Sequence, residues 1–236
     1  MARKLIDLTQ EIYNGMPVYP GHQRTVIFDV KTHEETREMN KAVGPHTSTV
    51  MGLLMCDHGP THVDAFLHID SSPNAESIDQ LPLDLFYTPA VCLEVSHRKA
   101  GEYITAQDLE QACKKANLKV EKGMTVLLYT GHFNRTYPTM EWLLEYPGLD
   151  REAMLWLANK GVVNVGIDSP SIDSSAEMKN KHYPAHRVCK ERKILNTENL
   201  AHLEKVLGKR LDFIGFPLLI RRGTGSPIRA VAVLEE

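Results

Sequence analysis

Asp57-His58-Gly59-Pro60-Thr61-His62-Val63-Asp64-Ala65-Phe66-Leu67-His68 carries three histidines and a carboxylate within eleven residues, from His58 to His68. Imidazole and carboxylate are the usual protein ligands of zinc, manganese and similar ions. The spacing decides the local structure. In an extended segment side chains alternate between faces. His62, Asp64 and His68 then share one side with Phe66, while Val63, Ala65 and Leu67 turn to the other as a core strip. On a helix Asp64 would point roughly 200° away from His62, and the set would split. The stretch reads as a strand or strand end, with His58 curling back from the preceding turn. Cys56, a lone cysteine beside Met55, is read as core rather than as a ligand.

Composition bounds the rest. The chain has 236 residues, 42% hydrophobic and 24% charged, as in an ordinary globular protein, and it is read as a single domain over residues 1–236. A net charge of −3 gives no basic face for nucleic acid. No apolar run approaches the ~20 residues of a membrane span, and the start Met1-Ala2-Arg3-Lys4-Leu5-Ile6-Asp7 lacks the apolar core of a signal peptide. Cys56, Cys92, Cys113 and Cys189 are scattered, so free thiols and a cytoplasmic location are expected.

Periodicity and punctuation place strands over residues 4–12, 25–30, 48–55, 90–95, 124–129, 162–167, 211–220 and 228–234. Thr105 caps a helix with Leu109, Ala112, Cys113 and Ala116 in helical spacing, and Asp150 caps a second that runs to Lys160 and stops at Gly161. A third helix is expected from Asn196 or Thr197, with Leu200, Leu203 and Leu207 as its core face. Residues 31–42 read as an exposed charged loop or arm, 78–86 as irregular around Pro82, and 174–181 as a polar loop. Arg222-Gly223-Thr224-Gly225-Ser226-Pro227 lacks the Lys-Ser/Thr and helix of a phosphate loop and reads as a hairpin connection. His132 and Arg135 follow a buried strand, where open α/β sheets often bind ligands.

The central stretch resembles the His-x-Gly-Thr-His-x-Asp-x-Pro-x-His signature of the metal-dependent cyclase family, which includes bacterial kynurenine formamidases and isatin hydrolases. His58, Thr61, His62, Asp64 and His68 match it; Pro60 stands where the family has Gly and Phe66 where it usually has Pro. Pro60 removes a backbone N–H, and Phe66 adds a ring on the expected ligand face, so both departures bear on the pocket and the substrate. The resemblance extends to Gly15-Met16-Pro17-Val18-Tyr19-Pro20-Gly21 and to Gly225-Ser226-Pro227-Ile228-Arg229-Ala230. It implies an α/β fold of the swivelling β/β/α type and homodimers or homotetramers.

The resemblance also supplies the second half of a site. His186, in Pro184-Ala185-His186, and Glu198, in Glu198-Asn199-Leu200, match the family's distal metal ligands. Taken alone, His186 reads equally as an exposed loop histidine and Glu198 as a first-turn helix carboxylate. Asp168, Asp173 and His182 are weaker candidates. Isatin hydrolase-like members carry Gln at the Glu198 position, so Glu198 places the chain nearer the formamidase-like branch. His58, His62, Asp64, His186 and Glu198 are too many for one closed tetrahedral zinc and suit two divalent ions, zinc or manganese, if both carboxylates bridge. His68 resembles the family's catalytic general acid/base, a role its ordinary pKa near ~6.5 suits. The implied activity is hydrolysis of an amide-type C–N bond in a small carbonyl substrate, with an aryl formamide such as N-formylkynurenine leading. The alternatives are a mononuclear manganese enzyme that opens a cyclic amide or lactone, and a metal-binding protein without turnover, which would leave His68 no task.

Overall fold

The computed structural model describes residues 3–235. Its strands are β1 (Arg3–Asp7), β2 (Val26–Lys31), β3 (Val50–Leu54), β4 (His62–Asp64), β5 (Tyr87–Glu94), β6 (Tyr103–Ile104), β7 (Thr125–Tyr129), β8 (Gly148–Leu149), β9 (Asn164–Ile167), β10 (Leu195–Glu198), β11 (Arg210–Ile214), β12 (Gly225–Pro227) and β13 (Val231–Glu235). The helices are α1 (His33–Asn40), α2 (Ala106–Ala116), α3 (His132–Thr136), α4 (Met140–Leu144), α5 (Arg151–Asn159), α6 (Ser175–Asn180) and α7 (Pro184–Arg192). They fall into two compact units, one holding β1 and everything from Asp57 onward, the other spanning 11–56.

The larger unit is α/β. β5, β7, β9 and β10 run parallel as neighbours, and α2, α5 and α7 lie in the connections between them, as parallel strands require. Alternation along these strands sorts the core into two layers. Val91, Leu93, Val126, Leu128, Val165 and Ile167 pack with Leu109, Met154, Leu157 and Val188 of the helices. Ala90, Cys92, Leu127 and Leu195 face the other way, with Val63, Phe66, Phe86 and Leu234. The helix caps follow the sequence: Thr105 forms a capping box with Asp108, and Asp150 accepts from Ala153 N–H.

Antiparallel strands extend the sheet on both sides, giving the order β1-β13-β11-β5-β7-β9-β10-β4-β12. Only residues 228–230 separate β12 from β13, yet these strands lie toward opposite ends of that order. The sheet therefore curls, and Ile228 N–H reaches Thr61 O at 3.0 Å while Leu8 N–H reaches Ala230 O at 2.9 Å. The 222–227 segment is thus more than a hairpin connection: Gly225–Pro227 pairs with β4 and places residues next to the histidine stretch.

Four further expectations are corrected. Residues 195–198 form a strand where a helix was expected, because β9 and β4 flank them on both sides; the leucines beyond reach the core through a 3₁₀ turn, Leu203–Val206. Residues 174–181 hold α6, capped by Ser174. The 211–220 strand ends at Ile214. Phe66 leaves the ligand face: Phe66–His68 is a 3₁₀ turn, which breaks the two-residue alternation and drops the ring into the core beside Val63.

The smaller unit pairs β2 with β3 antiparallel. Between them residues 33–40 are α1 rather than a loop, because Thr32 and Glu35 form a complete capping box.

Candidate metal centre

β4 turns His62 and Asp64 to one face of the sheet, two residues apart. β10, its antiparallel neighbour, sets Glu198 opposite His62. The 3₁₀ turn after β4 carries His68, the turn before it carries His58, and the first helical turn of α7 supplies His186. All six expected residues meet. His58 Nδ1 lies 2.8 Å, and His62 Nε2 3.3 Å, from Asp64 Oδ1. His186 Nε2 and His68 Nε2 lie 3.6 and 3.9 Å from Asp64 Oδ2. Glu198 closes the far side, with Oε2 3.6 Å from His62 Nε2 and Oε1 3.4 Å from His186 Nε2. One donor atom each from His58, Asp64 and His68 falls within 4.8 Å of the others, and the same holds for His62, Asp64 and Glu198.

Several of these groups are held from behind. Pro60 O, a pure acceptor, lies 2.9 Å from His62 Nδ1, so that nitrogen donates and Nε2 is the one turned inward. Asn199 Nδ2 donates to the same carbonyl at 2.7 Å. His186 Nδ1 donates to Asp173 Oδ2, and Asp173 also accepts from Ala185 N–H at 2.6 Å. Asp173, a weak ligand candidate in sequence, thus orients a histidine. Ile172 N–H donates to Glu198 Oε1 at 3.0 Å. Asn196 Nδ2 donates to Asp64 Oδ2 at 2.8 Å and to Glu198 Oε1 at 3.2 Å. Asn196 escaped sequence reading because its segment read as a helix; strand alternation puts it on the face of Glu198, two residues on.

The electrostatics are those of a buried, mutually dependent set. Burial disfavours the Asp64 anion, but His68, His58 and His186 outweigh it and hold its carboxyl well below the usual range. Burial, with the Asp64 charge beside it, raises Glu198. Burial opposes the charged forms of His62 and His186, yet Asp64 raises the first and Asp173 raises the second well above the ordinary imidazole value. Burial, with three imidazoles nearby, pushes His68 down to about 4 against the pull of Asp64. Imidazole nitrogens converging on two carboxylates form a donor set that fits divalent zinc or manganese.

The remaining candidates lie in other settings. His132 is buried with Nε2 2.8 Å from Trp142 O, and Arg135 Nη1 donates to Thr130 O. Asp168 is buried and accepts from Thr130 N–H, Thr130 Oγ1 and Gly131 N–H, so it fastens the loop after β7. His182 is exposed and bonds Glu177. Cys56 lies 3.7 Å through Sγ from His22 Nδ1 in the smaller unit.

Comparison with known proteins identifies the family and the fold. Residues 6–174 match the model of the Cyclase family, described as "Putative cyclase", and the chain belongs to that family. A kynurenine formamidase of Paracidovorax citrulli is 28% identical over 97% of this chain and 96% of its own length. Among solved structures, isatin hydrolase A from Labrenzia aggregata superposes with a TM-score of 0.84 at 23% identity, covering 99% of this chain and 94% of that one. A protein described as a potential metal-dependent hydrolase with cyclase activity gives 0.75 at 24% identity, over the full length of both chains.

Proposed function

We propose that this cyclase-family chain is a metal-dependent hydrolase of an amide-type C–N bond whose substrate is an aryl formamide such as N-formylkynurenine. One observation carries the reading: four histidines converge on the carboxylates of Asp64 and Glu198. His58, His62, Asp64, His186 and Glu198 hold two divalent ions, zinc before manganese, and His68 is the general acid/base. Ions in such a site supply Lewis acidity toward a carbonyl oxygen and lower the pKa of water.

The chain's own groups do the rest. Asn196 and the Ile172 N–H fix the two carboxylates. His68, with its pKa at about 4, is neutral near pH 7 and accepts a proton from the attacking water. The water oxygen bonds to the carbonyl carbon, the C–N bond breaks, and His68 returns the proton to the leaving nitrogen, so an aryl amine and formic acid depart, the acid losing its remaining proton to solvent as formate. Glu198, rather than Gln, and the formamidase relative favour a formamide over a cyclic amide.

The whole chain serves as one catalytic domain and works as a homo-oligomer in the cytoplasm. The smaller unit presents Met51 and Leu53 to solvent from one face of its strand pair and Phe28 from the other, apolar side chains that a second copy would cover. Cys92, Cys113 and Cys189 are thiols, as a reducing compartment keeps them. No helix among the described residues is long and apolar enough to cross a membrane.

The test is protein reconstituted with zinc or with manganese and assayed against N-formyl aryl amines, cyclic amides and lactones. Turnover of the formamide is expected. Turnover of the cyclic amides alone moves the substrate to ring opening, and tight metal binding without turnover of any of them returns the non-catalytic reading.

A further inference from the structure

Three histidines of the centre are fixed through the nitrogen remote from Asp64, and one of the three is fixed the other way round. His62 and His186 give Nδ1 to Pro60 O and Asp173 Oδ2, so they turn Nε2 inward. His58 turns Nδ1 toward Asp64 Oδ1, at 2.8 Å, and places Nε2 2.8 Å from Thr224 Oγ1. Thr224 has a single hydroxyl proton. Its Oγ1 lies 2.7 Å from Asp57 Oδ2, which also accepts from Thr224 N–H at 3.0 Å and Gly225 N–H at 3.2 Å. Two bare oxygens at that separation would repel, so the proton lies between them. The hydroxyl can then only accept from His58, and Nε2 must carry a hydrogen. Gly225 packs close against the ring, where a Cβ would lie 2.9 Å from His58 Cε1.

We infer that Asp57 and Thr224 are positioning residues that hold the proton of His58 on Nε2, so that His58 presents Nδ1 to the metal centre while His62 and His186 present Nε2. This rests on the reading of the cluster as a metal site. Asp57 sits next to His58 in sequence, whereas Thr224 arrives through β12 on the edge of the curled sheet. Outer partners of this kind, which fix the ring and the tautomer, are typically worth 10–100-fold in metal affinity.

Two measurements test it. In histidine-¹⁵N-labelled protein, two-bond ¹⁵N–¹H correlation spectra identify which ring nitrogen bears the proton, before and after zinc is added. A proton on His58 Nε2 in both states, with the zinc-induced shift on Nδ1, is expected; a proton-free Nε2 in either state overturns the proposal. Because the metal-free spectrum is read separately, a protein that shows this proton and still takes up no zinc sinks the metal-site reading and the presentation of Nδ1 with it, and leaves only the tautomer. Zinc affinity is then measured by competition with a chromophoric chelator. Thr224→Val should weaken it about 10–100-fold with an unchanged metal-free melting temperature, and Thr224→Ser, which keeps the hydroxyl, should restore it to within about threefold of the native value. Equal affinity in Thr224→Val and native protein, or a Thr224→Ser no better than the valine, overturns the role of Thr224.

Discussion

Asn196 donates from Nδ2 to Oδ2 of Asp64 across 2.8 Å, reaching from β10 to its antiparallel neighbour β4. It is a neutral group between two carboxylates, and its amide hydrogens occupy lone pairs that would otherwise face each other. Asn196→Ala should therefore weaken zinc binding by about 10–100-fold, the usual effect of losing an outer hydrogen bond to a ligand. The metal-free melting temperature should fall only modestly. Chelator competition and calorimetry check it; native zinc affinity in the variant would show that the amide only fills space.

Glu198 belongs to a strand, not to the start of a helix, so its charge has no helix dipole to complement. Its partners are His62, His186, Asn196 and Ile172 N–H. Glu198→Gln cannot bridge as an anion. Elemental analysis after dialysis against excess zinc should give close to two ions per native chain and about one in this variant, as two-ion sites depend on bridging carboxylates. A native ratio at or below one sinks the two-ion assignment while leaving a single-ion enzyme.

His68→Ala should keep near-native metal content, since the other five residues complete the set without it. Its kcat on the formamide should drop roughly 10²–10⁴-fold with little change in KM, the usual worth of a positioned acid/base. Activated esters, whose leaving groups need no proton, should suffer less. Because His68 Nε2 lies within 3.9 Å of Asp64 Oδ2, loss of metal in this variant would instead make it a ligand.

The pKa pattern has a pH signature in the metal-free protein. His62 and His186 are raised above 6.5, so their contribution to stability is whole below that value and is lost as pH climbs through the raised ones. Asp64 is lowered, so its contribution is whole above 3.8 and is lost as pH falls toward its depressed value. The metal-free melting temperature should peak between those limits and decline above neutrality. His186 is raised well above the ordinary imidazole value, and metal must displace its extra proton, so zinc binding near pH 7 should release protons. Titration calorimetry in buffers of different ionisation enthalpy reads the number directly, and identical heats in all buffers would contradict it.

Away from the centre, Asp108 closes the Thr105 capping box and bonds His97 and Arg98. Burial works against its charge, but the Thr105 N–H and hydroxyl, His97 and Arg98 together hold its pKa at about 2. Asp108→Ala should cost about 1–3 kcal/mol in denaturant unfolding near neutral pH. The sign is that of a depressed carboxyl: the stabilisation is whole above 3.8, and the difference between native and variant should vanish as pH falls toward 2.

The sequence by itself determined the buried strands near residues 90–95, 124–129 and 162–167 and the caps at Thr105 and Asp150, because apolar patterning and capping are local and each residue reports its own neighbours, while the α/β class followed from the family resemblance. It also marked the His62–Asp64 pair, whose two-residue spacing puts both on one face of a strand. Tertiary structure decided the rest. Residues 195–198 became a strand because β9 and β4 offered backbone partners on both sides, which no local preference encodes. Phe66 went to the core because a 3₁₀ turn broke the alternation. Asn196, Asp173 and Thr224 joined the centre only when β10, the segment after β9 and β12 came together around β4. Thr224 lies 166 residues from the ring it holds, and a hydrogen bond depends on distance in space, which spacing along the chain does not carry.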